Sequence, residues 1–128
     1  MTEITVSAVV IRNSANQVLT VRKRGTQSLM LPGGKPEDGE SAAATATREV
    51  AEELGVELDT NQLELIGKFT APAANERGYR VRATVFAHPY VEVSAPAAEI
   101  EYLEWVDPTT EIPNLAPLLR NEIFPRLN

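Results

Sequence analysis

Residues 4–12 read ITVSAVVIR, a β-branched run that predicts a strand. The turn cluster NSANQ (13–17) follows, and VLTVRKR (18–24) then reads as the returning strand of a hairpin. SLML (28–31) predicts a short strand running into Pro32-Gly33-Gly34. LELIGKFTAP (63–72) and YRVRATVFAH (79–88) alternate well enough for strands, and YLEWV (102–106) predicts another. Two stretches carry helical spacing instead. One covers about 41 to 54 and is closed by Gly55; the other covers 114–127, with Asn114 as its candidate N-cap and Pro117 in its first turn. Strands around two helices, without strict alternation, predict an α+β domain spanning 1–128.

The first helix has an unusual polar face. At about 100° per residue from Arg48, Glu52 lies near 40°, Glu49 near 100° and Glu53 near 140°. Ala46, Val50, Ala43 and Leu54 follow at about 160° to 240°, an apolar stripe for the core. The carboxylates crowd the C-terminal half, where the helix dipole is negative, at roughly 0.3–1 kcal/mol each. Glu49 and Glu53 repel as an i,i+4 pair, and Arg48 precedes Glu52, the weaker order for an ion pair. Among exposed acidic helices a solvated face is the commoner reading. Here a hard divalent cation, which takes oxygen ligands, would reverse the sign of each of these terms.

Composition narrows the function. The sequence has no cysteine, which excludes a thiolate nucleophile, a disulfide framework and a cysteine-based zinc site, and suits the cytoplasm. The N-terminus lacks the pattern of a signal peptide, and no apolar run is long enough to span a bilayer. A net charge of −6 argues against a broad nucleic-acid surface, yet a bound cation can bridge acidic protein and phosphate.

The spacing around the acidic helix resembles a known motif. Gly34, five residues, Glu40, seven residues, Arg48-Glu49-Val50, one residue, Glu52-Glu53, one residue, Gly55-Val56 is similar to the Nudix box in full. The resemblance implies a Nudix-type α/β/α sandwich with a mixed β-sheet between helices. It implies Mg²⁺, with Mn²⁺ as a substitute, and hydrolysis of a nucleoside diphosphate linked to another group. On that resemblance Glu49, Glu52, Glu53 and the Gly33 carbonyl are metal ligands. Arg48 orients Glu49, Glu40 holds the loop or meets metal through water, and Gly34 and Gly55 are structural. The general base is a box glutamate such as Glu49 or Glu53, or a later one, for which Glu99 is the candidate and Glu101 its competitor.

Substrate contacts are less marked. Arg22 and Lys35 are candidates for the outer phosphates. Pro72, 16 residues beyond Val56, points toward ADP-ribose as substrate; chain length points toward nucleoside triphosphates. For ADP-ribose, Asn75 or Glu76 would meet hydroxyls. Asn114 falls near a base-reading position of MutT-type proteins, although the N-cap reading is preferred. Trp105 reads as core, His88 as a surface residue, and Tyr79, Tyr102 and Phe69 fit either core or site. A small-molecule nucleotide is the expected partner; a homodimer stays open. The competing functions are a non-catalytic Nudix-like nucleotide sensor, usually marked by a damaged box, and an acidic interaction domain.

Overall fold

The computed structural model describes residues 2–127. Its centre is a four-stranded mixed sheet in the order β3-β1-β5-β4. Here β1 is Thr2–Ile11, β3 is Gly33–Gly34, β4 is Glu64–Pro72 and β5 is Tyr79–His88. β1 and β5 run parallel over their full length, whereas β3 and β4 are antiparallel to their neighbours. A second, two-stranded antiparallel sheet joins β2 (Val18–Lys23) to β6 (Ile100–Val106).

β1 explains the layering. Its AVVI run is apolar at successive positions because both faces are covered. Ala8 and Val10 pack with Leu119, Ile123 and Phe124 on one side. Val9 and Ile11 pack on the other side with Ala46, Val50 and Leu54 of the helix α1, Ala42–Leu54. The result is an α+β sandwich, a mixed sheet with a helix on each face. α1 begins at Ser41, whose hydroxyl accepts the Ala44 N–H, and ends at Gly55 with φ 67°, where the glycine N–H reaches the Ala51 carbonyl.

Several local expectations are corrected. Among the described residues one isolated bridge, from Arg12 just after β1 to Val18, marks the expected hairpin, which does not extend; β2 pairs with β6 instead. The 28–31 stretch forms isolated bridges, Met30 to Val21 and Leu29 to Leu115, and the regular strand falls on Gly33–Gly34. The C-terminal helical segment starts at Leu118, after Pro117, so Asn114 is not its N-cap. Asn114 instead ties down the 27–29 segment: its carbonyl accepts the Leu29 N–H, and its side-chain amide donates to the Gln27 carbonyl. Leu118–Ile123 is π-helical before the α-helical turn α2, Phe124–Leu127. Pro125 has no N–H to give the carbonyl four residues earlier and its ring crowds that carbonyl, and a wider turn relieves this.

His88 is buried, not superficial. Its Nε2 accepts the Asp59 N–H at 3.1 Å and its Nδ1 lies 2.8 Å from the Pro89 carbonyl oxygen, so the pair of bonds suits a ring protonated on Nδ1 alone. Trp105 packs beside the α1-side core with its ring centroid 5.9 Å from that of Tyr90. Phe69 is buried, whereas Tyr79 and Tyr102 are exposed.

Candidate active site

The site is built where β3 passes beside α1. Gly33 pairs with Ala8 and Gly34 with Ser7. A Cβ on Gly33 would collide with the Ser7 carbonyl, so the backbones come as close as they do only with glycine. A Cβ on Gly34 would stand 2.5 Å from Cδ of Glu49, filling the space that this carboxylate occupies. The two glycines therefore admit a carboxylate into the sheet edge.

Arg48 organises the loop above. Its Nε and Nη2 donate to Glu40 at 2.7 and 3.0 Å, a two-point fork that lysine could not reproduce. Nη1 donates to Glu49 at 2.9 Å and to Glu52 at 3.1 Å, and Nη2 also reaches the Lys35 carbonyl. Glu40 in turn accepts from the Glu37 N–H and the Thr45 hydroxyl. The Arg48 hydrogen bonds, with that backbone bond, hold the Glu40 carboxyl down to about 2. Glu40, chiefly, keeps Arg48 charged well above its ordinary range.

Glu53 is the unusual member. It is 2% exposed. Its Oε1 accepts the Gly33 N–H at 3.0 Å, while Oε2 is buried with no hydrogen-bond partner among the described residues. Burial pushes its carboxyl up to about 8, against the Gly33 bond, and the neighbouring Glu49 charge adds to the rise. An orphaned buried carboxylate oxygen is costly, of order 1–3 kcal/mol or more. Glu52, by contrast, is half exposed on the rim.

A cavity of about 390 Å³ opens beside these groups. Gly33, Gly34, Lys35, Glu49, Lys23 and Glu99 line its charged end. Ile4, Val6, Met30, Val81 and Leu118 give an aliphatic wall, and Pro72, Ala73, Ala74, Asn75 and Glu76 bring in the β4–β5 turn. The Asn75 amide has only the Met30 sulfur, at 3.8 Å, as a partner among the described residues. Asn114 is absent from the lining, its amide being engaged with Gln27.

A register shift sorts the two loop glutamates. Arg22 stands opposite Tyr102 and Lys23 opposite Ile100, so Glu101 is the extra residue of a bulge. Glu101 pairs with Arg22 at 2.9 Å, away from the cavity, and Arg22 also lies over the Tyr102 ring. Glu99 reaches the cavity and sits 3.5 Å from Lys23. The structure thus does not bring Arg22 to the site. Lys23 stands there instead; Thr20 and Val21 are both buried, so the period of the strand carried no signal that favoured Lys23 over Arg22.

Among the described residues, no three Asp, Glu or His side chains converge as a ready-made metal cage. Arg48 holds Glu49 and Glu52, and Gly33 holds one oxygen of Glu53. The donor set nevertheless fits a hard cation. It offers oxygen ligands only, with an unpartnered buried carboxylate oxygen close to a second acid.

A sheet edge opened by two glycines, under an acidic helix tied to its loop by arginine, defines an α+β protein with a carboxylate site. The chain belongs to the Nudix family: the NUDIX domain model matches residues 1–127. A Bacillus subtilis (strain 168) protein described as a "Putative 8-oxo-dGTP diphosphatase" is 28% identical over 100 residues, covering 78% of this chain and 64% of that protein. The chain therefore spans slightly less than two thirds of that relative's length. A crystal structure of a MutT protein from Methanosarcina mazei Go1 superposes with TM-score 0.77 at 25% identity, covering 98% of this chain and 93% of that one. A UDP-X diphosphatase shares the fold at TM-score 0.74 and 22% identity, over 99% of this chain and 61% of that one. Among the described residues no helix is long and apolar enough to cross a membrane.

Proposed function

We propose that this chain, a single domain over 1–128, is a divalent-metal-dependent pyrophosphohydrolase that cleaves the phosphoanhydride of a nucleoside triphosphate. The buried Oε2 of Glu53, unpartnered among the described residues, carries the reading. In a protein selected for stability alone that carboxylate would be costly, whereas a cation ligand must be anionic and unprotonated. Glu49, Glu52, Glu53 and the Gly33 carbonyl would hold Mg²⁺, or Mn²⁺ in its place, with Glu99 as a further ligand. Such a cation neutralises the diphosphate and acidifies water when bound.

The chain's own groups do the rest. Arg48 fixes the Glu49 carboxylate, and Glu40 fixes Arg48. Glu49 or Glu99 takes the proton of the attacking water, since both border the cavity. Lys23 and Lys35 receive the outer phosphates at the charged end. The aliphatic wall takes the base, and Asn75, whose amide has only a weak sulfur partner among the described residues, meets a polar edge of the nucleoside. Pro72 stiffens the turn that presents Asn75. One apolar end of the cavity suits a base, and its charged end suits a chain of phosphates. The name of the Bacillus relative, a triphosphate diphosphatase, supports the same choice. A cysteine-free chain suits the reducing cytoplasm.

The test is one screen of purified protein with Mg²⁺ against nucleoside triphosphates, ADP-ribose, nucleotide sugars and dinucleoside polyphosphates. Nucleoside monophosphate plus pyrophosphate from a triphosphate is the expected result. Release of AMP and ribose 5-phosphate from ADP-ribose, with triphosphates untouched, would overturn the substrate. No turnover of any member would overturn the activity.

A further inference from the structure

Glu99 is held more firmly by its backbone than by its side chain. Ala98, just before it, adopts φ 52°, a left-handed conformation that a residue with a Cβ rarely takes. The turn persists because it is tied at each side. The Ala97 N–H donates to the Glu53 carbonyl at 2.8 Å, the Ile100 N–H to the Ala97 carbonyl at 3.0 Å, and the Arg24 N–H to the Glu99 carbonyl at 2.8 Å. Glu99 is thus moored to the C-terminal part of α1 and to the end of β2, the strand that carries Lys23.

The side chain has one ionic partner among the described residues, Lys23, at 3.5 Å, and 61% of it is exposed. Lys23 and Glu99 both line the cavity, whereas Lys35, the other cation there, makes no ion pair among the described residues. An ion pair this long and this exposed is weak and easily exchanged. Its two members suit different partners. A phosphate attracts the ammonium, and a hard cation attracts the carboxylate.

From this we infer that Lys23 is a positioning residue that restrains Glu99 in the free protein and releases it when an anionic phosphate takes the lysine. The exchange couples phosphate arrival to the freeing of a carboxylate at the cation site. Each side chain trades its present partner for a better matched one, so the switch costs little. Ala98 keeps the carboxylate within reach throughout, because the strained turn fixes where the Glu99 side chain starts. The inference rests on the cation site proposed above, and it goes beyond it in giving that site a gate.

The test is a double-mutant cycle on Mn²⁺ binding to the full chain without nucleotide, read by electron paramagnetic resonance of free Mn²⁺. Lys23→Met should tighten Mn²⁺ binding by about two- to fivefold, the range expected for release of an exposed pair. Lys23→Arg should restore wild-type affinity. In the Glu99→Gln background the Lys23→Met gain should fall below about half its wild-type size. Equal gains in both backgrounds would show that Lys23 acts only as a general positive charge, and the inference would fail. Thermal melting of each variant guards against misfolding. Should Lys23→Met fail to fold, Lys23→Gln in the same cycle gives the same two outcomes. Because no turnover is measured, the cycle can succeed while the substrate screen fails, or fail while the screen succeeds.

Discussion

Glu53 accepts the N–H of Gly33 through one carboxylate oxygen and leaves the other buried without a partner among the described residues. A residue of α1 is thereby bonded to the backbone of β3, and burial of the unpartnered oxygen disfavours the ionised carboxylate.

This sets a pH dependence. The Glu53 carboxyl is raised from 4.5 to about 8, so between those values the folded chain keeps a proton that the unfolded chain has released. Stability of the metal-free protein therefore falls as pH rises through that window, by up to a few kcal/mol. Glu53→Gln should flatten the fall, raise the melting temperature at pH 8 and lower kcat at least about tenfold. Melting curves from pH 5 to 8 and a rate assay check it; full activity in the variant would remove Glu53 from the metal site.

Divalent cations should raise the melting temperature, and more so at pH 8 than at pH 6, because binding displaces the Glu53 proton. The gain should shrink in Glu52→Gln. Equal gains in wild type and variant, measured by calorimetry with Mg²⁺ and Mn²⁺, would place the ions elsewhere.

Arg48→Lys should lower the melting temperature by several degrees at neutral pH, since the fork on Glu40 is lost. Glu40 is depressed to about 2, so its stabilisation is present above its unfolded value of 4.5 and disappears as pH falls toward 2. Wild type and variant should thus converge at pH 2. A constant difference across that range would assign the loss to packing.

Gly34→Ala should cut kcat at least about tenfold while the protein stays folded, because the new Cβ meets the Glu49 carboxylate. Circular dichroism and initial rates separate the two effects. Unchanged kcat would mean that Glu49 need not lie where it does.

Glu99→Gln should lower kcat by about tenfold or more and Glu101→Gln by less than about twofold, because only Glu99 lines the cavity. The reverse order would mean that the bulge in β6 shifts in solution.

What the sequence determined was local. Spacing alone placed α1, its glycine stop and its carboxylate stripe, since helical angles depend only on residue separation. Glu53 at the edge of the apolar stripe was legible as the carboxylate nearest the core, and the structure buries it. The alternation of β4 and β5 was legible for the same reason, and the β-branched run of β1 marked it as a strand. Long-range pairing was not. A turn after β1 suggested a hairpin, but β2 joins β6, some eighty residues later, and its Leu19 and Val21 enter the same core as Ile100, Leu103 and Trp105 of β6. The bulge that sends Glu101 to Arg22 and Glu99 to Lys23 belongs to that pairing, so neither strand encodes it alone. Asn114 looked like a helix cap because the residues after it suit a helix. Tertiary contacts with Gln27 and Leu29 claimed it instead, and Pro125 turned the start of that helix into a wider coil. Residue order fixes angles and periods within an element, whereas partners distant in the chain are chosen by which faces must be buried together.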